Sequence, residues 1–236
     1  MKHKTCLKGA LAVTVLLLGV TGGLVRADET LETKTTQYLG VAEQTILPDS
    51  SFYLSKNLSR RLDRFTTFNA ADRVTIDLEK LSELTRELAD IHFANANKTL
   101  ESKVYDLYAD WSGYLSMDYT KANASGTNLG NNLELSISAE SLRQLVVVNE
   151  LEKNGLDPIV AGLFRKTIIQ NWMLTLEKLG NSQWTAITLG AATKLEGIMT
   201  NKDILDALDA VELVLDKTSL SNLVKGVIIN LAGLSV

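Results

Sequence analysis

The feature that most limits the fold is one run of spacings. Val74, Leu78, Leu81, Leu84, Leu88 and Ile91 recur at 4, 3, 3, 4 and 3 residues, the period of one face of an α-helix. A strand would need alternation at two. The same rhythm returns in Leu100, Val104, Leu107, Trp111 and Tyr114, and again in Ile204, Leu208, Val211 and Leu215. Only two prolines, Pro48 and Pro158, interrupt the 236 residues. The spacing predicts an all-α protein, a helical hairpin joined to an antiparallel helical bundle.

Helix ends are written in the short polar residues between these runs. Asn69 with Asp72, and Thr200 with Asp203, have the three-residue spacing of a capping box. Asp157-Pro158 puts a cap before a proline at the first helical position, where its missing N–H costs nothing. Gly155 and Gly180 are placed as stops, and Asn95 to Asn97 separates two long runs. Ser182 and Thr218 are expected to open the last parts of the bundle. Residues 119–133, rich in Asn, Gly and Ser, read as a flexible linker. The expected division is a lead at 28–45, a hairpin at 46–118, the linker, and a five-helix bundle at 134–236. The richly apolar run from Leu220 to Leu231 is expected at that bundle's centre.

The start of the chain has a different logic. Lys2, Lys4 and Lys8 precede an uncharged apolar stretch, Gly9 to Val25, and Val25-Arg26-Ala27 offers small or apolar residues for signal-peptidase cutting after Ala27. The expectation is an exported, extracytoplasmic protein, secreted, periplasmic or wall-associated, with residues 1–27 as signal peptide. Removal takes away Cys6, His3 and four cations, so the net charge moves from −4 to −8. An acidic chain argues against nucleic acid as a partner. After the signal no apolar run is long enough for a transmembrane helix.

Residues 46–69 carry the most distinctive local pattern. Ile46, Leu47, Pro48, Asp49 and Ser50 give an extended step and then a turn, since the residue before proline avoids the helical region. Asp49 or Ser50 is expected to cap the helix that follows. Phe52 and Tyr53 come next, and Leu54, Leu58, Leu62 and Phe65 form one apolar face at spacings of 4, 4 and 3. The stretch as a whole is expected to fix the start of the helix and its entry direction against the hairpin.

This stretch, with Thr67-Phe68-Asn69 at its end, resembles an uncharacterised family of exported bacterial proteins. These carry an I-L-P-D-S-P-x-Y motif, a short helix, a T-F-D-P turn and a long charged helix. The resemblance covers about residues 42–115. Ser51 and Ala70 stand where the family has proline, both early helix positions at which proline is replaceable. The resemblance implies an exported helical module and carries no activity over.

Candidate sites follow from residue type and spacing. Lys56, Arg60 and Arg64 lie four residues apart with Arg61 beside them. They suit an anionic wall polymer or lipid headgroups, or else pair with acidic residues of the next helix such as Asp72, Asp77, Glu79 and Glu83. Tyr105 and Tyr108 sit beside Trp111, Tyr114 and Tyr119, either as a stacking platform for sugars or as a helix buried on two sides. Glu79, Glu83, Glu87 and Asp90 read as a solvated face, since one straight row does not wrap a cation. His92 is the one imidazole left after the signal, so neither a zinc site nor a Ser-His-Asp triad is expected. No cofactor is called for.

The composition and motifs favour an exported, non-catalytic envelope module, binding or scaffolding, whose partner is an envelope protein or wall polymer. Two alternatives differ in class. One is a carrier or sensor of a small apolar ligand in the C-terminal bundle, suggested by the Leu, Val and Ile of 204–231. The other is a wall hydrolase using paired carboxylates.

Overall fold

The computed structural model describes residues 30–94, 97–126, 132–214 and 219–234. Among them it contains nine helices and no strand. They are α1 (Leu31–Leu39), α2 (Tyr53–Thr66), α3 (Ala70–Phe93), α4 (Lys98–Ala124), α5 (Asn132–Lys153), α6 (Pro158–Leu179), α7 (Asn181–Leu195), α8 (Asn201–Val214) and α9 (Ser219–Leu234). The signal segment with Ala27, Asn95, residues 127–131 of the Asn/Gly/Ser stretch, Leu215 and Thr218 lie outside the described residues.

The caps explain where the helices start. Asn69 accepts the Ala71 N–H at 2.9 Å and opens α3. Asn97 accepts from Thr99 and Leu100 at 3.1 and 3.3 Å and opens α4. Asp157 accepts from Ile159 at 2.8 Å ahead of Pro158. At α8 the box is reciprocal: Asp203 N–H donates to Thr200 Oγ1 at 3.2 Å, and Thr200 N–H to Asp203 Oδ2 at 3.1 Å. Each cap satisfies backbone donors that have no partner inside the helix.

The 3-and-4 stripe of α3 is buried as the spacing predicts, with Val74, Leu81, Leu84 and Leu88 at 0–1% exposure. It packs against α4 and α5. The centre of the bundle is α5, which touches α1, α3, α6, α7 and α8. This corrects the expectation for Leu220–Leu231. Helix α9 packs on α7 and α8 at the margin, with Val224, Val227 and Leu231 inward and Ile229 in solvent. The reason is the width of each apolar surface. Helix α5 buries Ile137, Leu142, Leu145, Val146, Val147 and Val148, residues that point in all directions around its axis, and such a helix belongs inside.

Two further boundaries differ from the sequence expectation. The lead is part of the core: α1 buries Tyr38 and Leu39, and Tyr38 donates to Asp203 at 3.0 Å. Residues 119–124, expected to begin the linker, are the last turns of α4, where buried Tyr119 donates to Glu134 at 2.9 Å. The hairpin and the bundle share one continuous apolar core, because α3 lies on α5 and α4 on α6.

Candidate functional site on the second helix

The stretch before α2 folds as a tight turn. Ser50 N–H donates to Leu47 O at 2.9 Å and Tyr53 N–H to Ser50 O at 3.0 Å, around Pro48. The expected cap is absent: α2 begins after Phe52 with no side-chain cap, and Ser50 Oγ accepts from Phe52 inside the turn. Asp49 is exposed. Ile46 instead anchors the helix, its carbonyl accepting from Lys56 Nζ at 2.9 Å.

Helix α2 is inside out. Its apolar face points to solvent: Leu54 is 82% exposed, Leu58 60%, Leu62 52% and Phe65 81%. Phe52 and Phe68 extend the exposed row at either end. A Leu/Phe face at this spacing ordinarily packs inward, and here it does not. The side turned inward is Tyr53, Lys56, Arg60 and Arg64, at spacings of 3, 4 and 4, one face of the helix.

Four carboxylates receive that face. Glu87 is fully buried and takes three donors: Tyr53 Oη at 2.6 Å, Lys56 Nζ at 2.7 Å and Arg60 at 2.5 Å. Arg60 also reaches Glu83 at 3.0 Å, and Lys80 holds Glu83 from the next turn of α3. Arg64 pairs with Asp77 at 3.2 Å and with Asp118 of α4. Arg73 completes the set on Asp118 at 3.0 Å. Arg64 also lies over the Tyr114 ring, 4.3 Å from its centre, a cation–π contact. Later residues of α2 meet earlier residues of α3, so the two helices run antiparallel.

Burial shapes the titration of these groups. It pushes the Asp77 carboxyl up to about 7, against the opposing pull of Arg64 and with Asp118 adding to the rise. Burial and the Glu87 carboxylate raise the Tyr53 phenol well above its ordinary value. Burial lowers Lys56, with Glu87 acting the other way.

The basic stripe is therefore engaged within the fold. Arg60 is 3% exposed, and of the four cations named from the sequence Arg61 alone is classed as exposed. Glu83 and Asp77 were among the expected acidic partners; Glu87 and Asp118 were not. Asp72 and Glu79 are exposed. The solvated acidic face expected at Glu79, Glu83, Glu87 and Asp90 is likewise corrected, since Glu87 and Asp90 are buried. Asp90 pairs with Arg86 at 2.7 Å and accepts from Gln44 N–H at 2.7 Å.

Tyr108 and Tyr119 are core residues, and Tyr105 and Tyr114 pack partly buried against the core. Tyr108 is fully buried, donating to Gln144, and Tyr105 packs its edge on Phe164 with ring centres 5.5 Å apart. Tyr108 is thereby removed from the expected sugar-stacking surface, while Tyr105 is only partly buried. His92 lies between Asn154 O at 3.2 Å and Glu101 at 3.7 Å, one ring nitrogen toward each. Among the described residues no group of His, Cys, Asp and Glu is placed to hold a metal ion. An open depression of about 500 Å³ is lined by Glu32, Thr33, Thr36, Gln37, Glu43 and Arg86. Its floor is tied down, because Arg86 donates to Glu32 O and Thr36 Oγ1 of α1.

No family model, curated protein or solved structure matches this chain. Among the described residues no helix is long and apolar enough to cross a membrane.

Proposed function

We propose that this chain is an exported, non-catalytic binding module of the cell envelope, and that its docking surface is the outward ridge of α2. The observation that carries this reading is the inversion of the helix. Five cations and four carboxylates are brought together on its inner side, while six Leu and Phe side chains stand in water. Buried ion pairs are a weak source of stability, and apolar replacements are often as good. A row of large apolar residues rimmed by polar ones is the ordinary mark of an interaction surface. Stability alone accounts for neither half of the arrangement; presentation of the ridge accounts for both.

The test uses the absence of cysteine after residue 27. A photo-cross-linker on Ser59→Cys, beside the ridge, is compared in the host envelope fraction with the same reagent on Ile159→Cys, an exposed position of α6. Adducts formed from position 59 and not from position 159 support the reading. Equal labelling from the two positions defeats it.

A further inference from the structure

We infer that the ridge of α2 is a membrane-surface anchor, lying flat at a lipid bilayer with its Leu and Phe side chains in the acyl boundary. The inference rests on α2 being the docking surface and names the occupant.

Shape is the first argument. Helix α2 rests on α3 and reaches α4 through Arg64, so its outer side is a convex row one helix wide. Phe52, Leu54, Leu58, Leu62, Phe65 and Phe68 run along it, and all six are more than half exposed. Fourteen residues of helix give a ridge of about 21 Å. Amphipathic helices that lie in a bilayer interface combine such a Leu/Phe face with an oppositely directed charged face and low overall hydrophobicity.

Charge is the second argument. The stripe itself is uncharged. Ser55, Ser59 and Thr66 border it on one side and Arg61 on the other, all exposed, at the height where headgroups would lie. Arg61 meets phosphate favourably there. A second copy of the chain fits worse. A two-fold antiparallel pairing of α2 brings the same flank of both helices together, which sets Arg61 against Arg61. Lys56, Arg60 and Arg64, which usually supply electrostatic attraction in such helices, are held on carboxylates. Binding is therefore driven by apolar burial and responds weakly to salt.

The experiment takes the chain from Asp28 onward, which contains every described helix, with its fold checked by circular dichroism. An environment-sensitive dye on Ser59→Cys reports transfer into phosphatidylcholine vesicles. The expected result is a blue-shifted emission and co-sedimentation, changed less than about threefold between low and high salt. Leu58→Asp with Leu62→Asp lowers the partition coefficient at least about tenfold, while Ile159→Asp leaves it unchanged. Absence of vesicle binding overturns the inference, as does equal loss in the Leu58/Leu62 and Ile159 variants. Cross-linking from position 59 separates the two levels: adducts to protein without adducts to lipid overturn the lipid assignment and keep the docking surface, and adducts to neither end both.

Discussion

Arg60 and Glu87 meet across the α2–α3 contact at 2.5 Å, with 3% and 0% of their side chains exposed. Taking either charge out of water costs several kcal/mol, and the attraction between them repays this only when the remaining donors and acceptors are filled. Here they are filled. Tyr53 and Lys56 also bond Glu87, and Glu83 takes a second donor of Arg60. The pair orients α2 while contributing little net stability, which leaves the opposite side of the helix free of any packing role.

Removing one partner should be far worse than removing both. Arg60→Ala strands Glu87 and is expected to cost about 3 kcal/mol. The loss should appear first as local opening. Hydrogen exchange over residues 53–66 should quicken while the α3 and α5 amides stay protected. Arg60→Met combined with Glu87→Leu should recover most of the loss in denaturant titrations. Unchanged exchange in Arg60→Ala would mean that other contacts hold the helix.

The two leucine stripes should answer mutation oppositely. Leu84→Ala, in the fully buried stripe of α3, is expected to cost about 2–5 kcal/mol. Leu58→Asp, on the α2 ridge, should change stability by no more than about 0.5 kcal/mol and should raise solubility. Melting temperature and the concentration at which the chain begins to associate measure both.

The contribution of Asp77 to stability should fall as pH rises toward neutrality. The folded-state pKa of Asp77, about 7, lies above its ordinary value because of burial. The folded chain therefore holds a proton that the unfolded chain releases. The contribution of this group is fully present below about pH 4, its unfolded range, and is lost as pH climbs through about 7. Burial also raises Asp90 and Glu140, so their contributions have the same sign. The melting temperature of the chain, taken relative to Asp77→Asn, should decline between about pH 4 and 7 and level off above. A difference that stays flat across this interval would contradict the assignment. Arg64, Arg73 and Asp118 are the charged groups that face Asp77.

Thr200→Ala removes one half of a reciprocal cap on α8 and should cost about 1 kcal/mol. Asp203 also accepts from Tyr38. Asp203→Ala is therefore expected to cost more than Thr200→Ala and to loosen α1 as well, readable as faster exchange over residues 31–39.

Much of this molecule is local and therefore legible in order along the chain. Asn69, Asn97, Asp157-Pro158 and Thr200 begin helices because a side chain three residues or fewer from a free N–H can satisfy it whatever the rest of the fold does. The stripe from Val74 to Ile91 declares a helix because its period is set by backbone geometry. The same locality shows two opposed faces on 53–66, one of Leu and Phe and one of Tyr, Lys and Arg. It also shows an acidic row on 77–87. Which face of α2 goes inward is a different kind of question. It depends on what α3 has left to offer once α4 and α5 have covered its apolar stripe. What remains is Asp77, Glu83 and Glu87, and only the cationic face of α2 can cover them without leaving buried carboxylates unpaired. Locality set most of the helices, many of their ends and their two-faced character, though not the start of α2 or the last turns of α4. Tertiary structure decided that one of them would turn its apolar side to the solvent.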